Sequence, residues 1–208
     1  MNEIEKKLRM KTIFISGSAE SYGQWNKAEA ESFIYLLSKK IVAANYKIVN
    51  GFGWGIGRTV INGALEAVYE KPTKYTKDQL ILKPFPKLET EEKPIPILWD
   101  EYRQKMISLA GIAIFIFGNK QDKEGNIVAA NGVMREFEIA TQQGLIPIPI
   151  AASGYASNDI FNQIFANPEK YYAGVEWIMP FIKELATEKL MINELVQKIV
   201  LMIHKLNK

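Results

Sequence analysis

The sequence predicts an α/β fold, with a mainly parallel sheet and helices on both faces, and three observations predict it. Short runs rich in Ile, Phe and Val alternate with longer stretches of helical periodicity. The runs are near-continuously apolar rather than alternating, most fully in IAIFIF at 112–117, which marks strands covered on both faces. The runs at 12–16, 46–50, 79–85 and 112–117 close at Gly, Ser, Asn or Pro, the residues that strand-to-helix crossovers need.

The elements follow in order. Residues 1–10 are charged and form an N-terminal extension, and residues 11–187 form one ligand-binding domain. TIFIS at 12–16 is a buried strand running into Gly17-Ser18. Residues 29–43 carry Phe33, Leu36, Leu37, Ile41 and Val42 at helical spacing. Residues 46–50 are a second strand, and a glycine-rich stretch then leads into a helix ending near Glu70. QLILKPF at 79–85 is a third strand closed by Pro84 and Pro86, and 88–96 is a polar, proline-bearing loop. A helix over 97–110 precedes the strand at 112–117. Residues 119–131 are a polar loop, 132–143 a helix, and 145–150 a strand whose prolines place it at an edge or strand end. From Ala156 onward the pattern is helical, ending in an amphipathic segment, 188–208, that packs on the domain or on a partner. The whole is a Rossmann-like, doubly wound arrangement with a helical C-terminal segment.

Bulk properties narrow the function classes. The 208 residues suit one sizeable domain, and 48% apolar with 24% charged residues is an ordinary globular balance. A formal charge of +3 is too mild for a nucleic-acid surface. With no cysteine and a single histidine, His204, neither thiolate chemistry nor a histidine triad or zinc site is expected. The opening residues lack a signal peptide's apolar core, and nothing approaches the ~20 apolar residues of a membrane span. A cytoplasmic protein is the expectation.

In open parallel sheets, ligands sit beyond the carboxyl ends of the strands. Four features fall there: Gly17-Ser18-Ala19, the stretch Gly51-Phe52-Gly53-Trp54-Gly55-Ile56-Gly57, Gly118-Asn119-Lys120, and Ala151-Ala152-Ser153-Gly154. Alternating glycines before a helix suit a phosphate cradle, since bare backbone amides and a helix N-terminus both attract anions. The competing reading is a tight crossover that needs glycine for packing alone. The stretch is not a P-loop, and it lacks the G-x-G-x-x-G order of dinucleotide folds.

Nearby charges are candidates for the same crevice. Lys120 follows the most apolar strand directly. Arg103 shares a helical face with Trp99, Met106 and Ala110. It suits bidentate phosphate contact, or else a surface ion pair with Asp100 or Glu101. Glu136, with Glu138 behind it, sits early on the 132–143 helix, within reach of ribose hydroxyls or of solvent. Arg58 follows Gly57. Ser16, Ser18 and Ser21 offer hydroxyls, and Phe52 and Trp54 offer rings to a purine or to the body of the domain.

Together, ISGSAE after the first strand, NGFGWGIG after the second, YRQKMISLAGIAIFIFGNK, and NGVMREFEIA resemble the SLOG superfamily. This is the Rossmann-like group that includes the LOG, lysine decarboxylase-like, proteins. More narrowly, they resemble the C-terminal SLOG domain of effectors in Thoeris anti-phage defence. The likeness runs from about residue 11 to 183, and its strongest piece is Arg103 and Lys120 with SLAGI-x-IF between them. It implies a sensor that binds a cyclic ADP-ribose isomer made by a TIR-domain protein. Binding would activate a SIR2-like NAD-hydrolysing domain, expected upstream in a longer chain, while this stretch itself has no catalytic residue, metal or cofactor. The family's signal-contacting arginine and lysine match Arg103 and Lys120, and its acidic residue matches Glu136. Gly17, Ser18, Gly51, Phe52, Gly53, Gly57, Arg58, Asn119 and Gly132 complete the expected ligand-binding set. A homo-oligomer without nucleic-acid or membrane partners is expected.

The rival is a LOG-type phosphoribohydrolase cleaving the N-glycosidic bond of a nucleoside 5′-monophosphate. LOG enzymes resemble PGG-x-GT-x-x-E at the third crevice loop. Here FGN-K replaces PGG, a longer insertion follows, and Gly132-Val133 replaces the GT pair. A third class, an inert oligomerisation module, would rest on the C-terminal helix.

Overall fold

The structure is a computed structural model, described here for residues 2–89, 93–187 and 191–208. Five parallel strands form one sheet in the order β3-β2-β1-β4-β7. They are β1 (Thr12–Ser18), β2 (Lys47–Asn50), β3 (Leu80–Leu82), β4 (Ile112–Phe117) and β7 (Ile146–Ile150). In register, Phe14 of β1 lies beside Val49 of β2 and Ala113 of β4. β4 is buried at all six positions, and β1 at every position but its last. This is the burial that unbroken apolar runs require.

The helices supply the cover. α1 (Glu3–Met10) precedes the sheet, α2 (Lys27–Ala43) links β1 to β2, and α3 (Gly57–Glu70) links β2 to β3. α4 (Ile95–Ile107) leads to β4 and α5 (Asn131–Gln142) to β7. Because parallel crossovers are right-handed, α2 and α3 cover one face while α4 and α5 cover the other. After β7 come α6 (Tyr155–Ala166), α7 (Pro168–Tyr172), α8 (Met179–Glu184) and α9 (Ile192–Leu206). α9 turns Leu195, Val196, Ile199, Met202 and Ile203 inward against α2. None of the described helices is long and apolar enough to cross a membrane.

Several expectations need correction. The expected loop at 119–131 contains a hairpin, β5 (Asn119–Gln121) against β6 (Ile127–Ala129). Its turn is built by Asp122, whose carboxylate accepts the backbone N–H groups of Glu124 and Asn126 at 2.9 and 2.8 Å. The third strand is only three residues long: β2 ends at Asn50, whose carbonyl accepts the Lys83 N–H at 3.0 Å as the last bond between the two strands. The 97–110 helix stops at Ile107, so Ala110 lies beyond the face it was expected to share with Arg103. The C-terminal region is broken helix rather than one run, with a turn before Pro168. The expected boundary at 188 and part of the 88–96 loop lie outside the described residues.

Both ends of the chain meet at the amino edge of the sheet. The Arg9 Nε donates to the Ala110 carbonyl at 3.0 Å, and the Asn207 amide donates to the Met10 carbonyl at 3.1 Å. This leaves the opposite, carboxyl edge clear of the termini.

Candidate functional site

The strand order reverses direction between β1 and β4, the place where a crevice opens in doubly wound sheets. Backbone strain concentrates along the same rim. Among the described residues four non-glycines have positive φ, and three of them sit here: Phe52 at 61°, Phe117 at 56° and Tyr155 at 54°. Asn50 enforces the first. Its buried amide donates to the Ile15 carbonyl at 2.9 Å, and its Oδ1 accepts the Phe52 N–H at 2.8 Å.

The glycine stretch packs against protein at this rim. The Ala19 N–H donates to the Trp54 carbonyl at 2.9 Å, so the loop after β2 lies directly on the loop after β1. A Cβ at Gly53 would fall 2.1 Å from the Gly17 carbonyl oxygen. One at Gly55, where φ is +74°, would fall 2.0 Å from the Ala19 oxygen. Gly17 abuts the Ile116 carbonyl, Gly57 opens α3 against the Phe52 backbone, and Gly51 lies beneath Phe85 and Met106. The side-chain-free faces of these residues are therefore filled by neighbouring chain. Phe52 and Trp54 project outward, 53% and 73% exposed. Trp54 donates its indole N–H to Glu20 at 2.8 Å.

A polar cluster lies where β1, α4 and α5 meet. Ser16, buried on β1, donates its hydroxyl to Glu136 Oε2 at 2.5 Å. Arg103 donates its Nε–H to the other carboxylate oxygen at 3.4 Å. The two charged side chains are only 16% and 11% exposed. Burial pushes the Glu136 carboxyl above its ordinary value, against the opposing pull of the Ser16 hydroxyl and the Arg103 charge. The guanidinium carbon also rests over the Phe85 ring, 4.9 Å from its centre. Arg103 does not pair with Asp100 or Glu101: Asp100 takes Arg135 at 2.6 Å, and Glu101 takes Lys93 at 2.6 Å. Glu138 pairs with Arg135 on the surface.

α5 and α3 begin at this rim with no side-chain cap and no acidic residue in the first turn. By contrast, Asn2 with Glu5 and Asn26 with Glu29 close α1 and α2 by reciprocal caps. The uncapped start of α5, with Gly132 against the part-buried Arg103, forms a pole whose N–H groups and positive dipole end suit an anion.

The other expected residues are dispersed around this pole. Asn119 is fully buried and turned to architecture, its Oδ1 accepting the Glu20 and Ser21 N–H groups at 2.9 Å each. Ser18 donates to the Asn119 carbonyl at 2.8 Å. Lys120 is exposed on β5. Arg58 lines a groove between α2 and α3 with Glu31, Ser32 and Tyr35. Gly132, in the first turn of α5, lies against the tip of Arg103. A cavity of about 630 Å³ lies elsewhere, between α2 and the start of α9. Phe85 is the residue that sequence reasoning missed. The only available signal was an aromatic between two prolines directly after a strand. Among the described residues, no group of three or more His, Cys, Asp or Glu side chains is placed to hold a metal ion.

Comparison with known proteins adds to this geometry. A profile described as the Sir2- and TIR-associating SLOG family matches residues 1–206. The chain is 41% identical over 201 residues to an NAD(+) hydrolase ThsA of Bacillus cereus (strain MSX-D12), covering 96% of this chain and 41% of the relative. It is 45% identical over 163 residues to the protein of the same name from Cytobacillus dafuensis, covering 77% and 33%. For that from Acinetobacter baumannii (strain 532279) the identity is 39% over 179 residues, covering 83% and 37%. The chain thus spans about two fifths or less of the length of the curated relatives it matches.

Proposed function

The chain belongs to the Sir2- and TIR-associating SLOG family, and from that premise we propose that it is a receptor domain for a cyclic ADP-ribose isomer. In this reading a TIR-domain protein makes the signal in the cytoplasm. Its binding activates a SIR2-like NAD-hydrolysing domain of the full-length protein in anti-phage defence. The observation that carries the proposal is the Arg103 guanidinium, held by Glu136 beside the open N-terminus of α5 at the reversal point of the sheet. Charge-assisted donors and helix amides there match a pyrophosphate. Phe52 and Trp54, exposed on the neighbouring loop, offer flat apolar surface to a base.

Signalling requires the ligand to favour one arrangement of the protein over another. In this reading the molecule touches the loops after β1, β2 and β4, which are joined here by hydrogen bonds at Ala19 and Asn119, and prefers one arrangement of them.

The test is calorimetry and thermal shift with cyclic ADP-ribose isomers, followed by chromatography of the recovered ligand. Saturable binding, a raised melting temperature and intact ligand support the receptor. Release of adenine or ribose phosphate from nucleoside monophosphates would instead support the LOG-type hydrolase. With neither result, the domain is a structural module.

A further inference from the structure

We propose that Ser16, Phe85, Gly132 and Glu136 form a socket that positions the Arg103 guanidinium, so that the first three act on an anionic ligand through Arg103. The nature of that ligand rests on the receptor reading above; the socket itself does not.

Each wall has a distinct part. Glu136 takes only the Nε–H of Arg103. A guanidinium has five N–H donors, so the four on its two Nη atoms are left for other acceptors. Glu136 is in turn fixed by the short hydrogen bond from Ser16, which sits rigidly within β1. Phe85 lies under the guanidinium and fixes the plane in which the fork can swing. Gly132 supplies room: a Cβ built there would meet the Arg103 Nη2 atom at 3.0 Å and its Cζ at 3.9 Å, and nothing else within 4 Å outside its own helix backbone and chain neighbours. The fourth side is the open start of α5. A long, flexible cation is thereby held at the place where an anion would already be attracted. Preorganisation of this kind raises affinity by removing the ordering that binding would otherwise require.

The geometry separates this role from direct contact with ligand. Gly132→Ala clashes only with the movable tip of a side chain, so the 208-residue chain should fold with Arg103 displaced. With the cyclic ADP-ribose isomers and ADP-ribose as calorimetric probes, Gly132→Ala and Phe85→Leu are each expected to weaken binding about tenfold. Phe85→Tyr, which keeps the ring face, should recover to within about threefold of wild type. In an Arg103→Ala background, Gly132→Ala and Phe85→Leu should change affinity less than about twofold, since the residue they act through is gone. If both substitutions keep their full effect in that background, they touch the ligand themselves and the positioning role is overturned.

A second readout needs no ligand. The Arg103 Nε–H, donated into a buried carboxylate, should give a ¹⁵N-resolved resonance protected from water exchange. It should be exposed by Gly132→Ala and weakened by Ser16→Ala. A wild type that binds none of the cyclic ADP-ribose isomers but shows the protected resonance overturns the receptor reading and upholds the socket. A resonance exchanging at the rate of a free arginine overturns the socket whatever the probes do.

Discussion

Replacing Gly55 by alanine separates the two uses that a glycine-rich strand-to-helix loop can have. At this position φ is +74°, where an alanine is disfavoured by about 1–2 kcal/mol. The new Cβ would also lie 2.0 Å from the Ala19 carbonyl oxygen, backbone that cannot swing aside as a side chain could. Overpacking of that kind costs about 1–3 kcal/mol. The two together predict a loss of about 2–5 kcal/mol. Gly53→Ala has the clash with the Gly17 oxygen without the positive φ, so about 1–3 kcal/mol is expected. In a chain of 208 residues each kcal/mol is about 2–4 °C of melting temperature. Arg58→Ala, exposed in the first turn of α3, is the control and should stay within about 0.5 kcal/mol. Urea unfolding followed by tryptophan fluorescence, without ligand, measures all three. If Gly55→Ala unfolds at the wild-type midpoint, the loop does not lie on Ala19, and its glycines face open crevice instead of protein.

Three further perturbations bear on the site and its frame. Because burial raises the Glu136 pKa in the folded protein, that protein holds its proton more tightly than the unfolded chain does. The stability this contributes is complete below the ordinary carboxyl value of 4.5 and is lost as pH rises through the folded value. Glu136→Gln does not titrate, so its melting temperature relative to wild type should climb as pH rises from about 4 and then level off; a falling difference would show that Arg103 and Ser16 outweigh burial. Lys120→Ala is expected to weaken cyclic ADP-ribose binding by about 1.5–3 kcal/mol, the range for charge-assisted hydrogen bonds. Calorimetry with unchanged affinity would remove Lys120 from the site. Asn119→Ala leaves the Glu20 and Ser21 N–H groups without their side-chain acceptor, so chemical unfolding should show a loss of about 2–3 kcal/mol. A change below about 0.5 kcal/mol would mean that solvent replaces those bonds.

The frame of the molecule was legible because buried parallel strands announce themselves by composition: Ile112–Phe117 and Thr12–Ile15 can be nothing but covered on both faces. The β5–β6 hairpin was not legible, since a three-residue pairing rests on one aspartate gripping its own turn rather than on any apolar pattern. The site divides along the same line. Arg103 and Glu136 were singled out from the sequence, but their pairing was not. Helical spacing offers Asp100 as a partner for Arg103, whereas tertiary packing gives Asp100 to Arg135 and leaves Arg103 to a carboxylate on another helix. The glycines show a different limit. Their number suggested a cradle, yet what they accommodate most closely is the carbonyl oxygens of Gly17 and Ala19. A glycine in a sequence states that something comes close, and only the fold says whether that is ligand or chain. On the proposed reading, the contact with an anion moves from the glycine loop to the linked side chains of Ser16, Glu136 and Arg103. The loop's part is to hold Phe52 and Trp54 outward beside it.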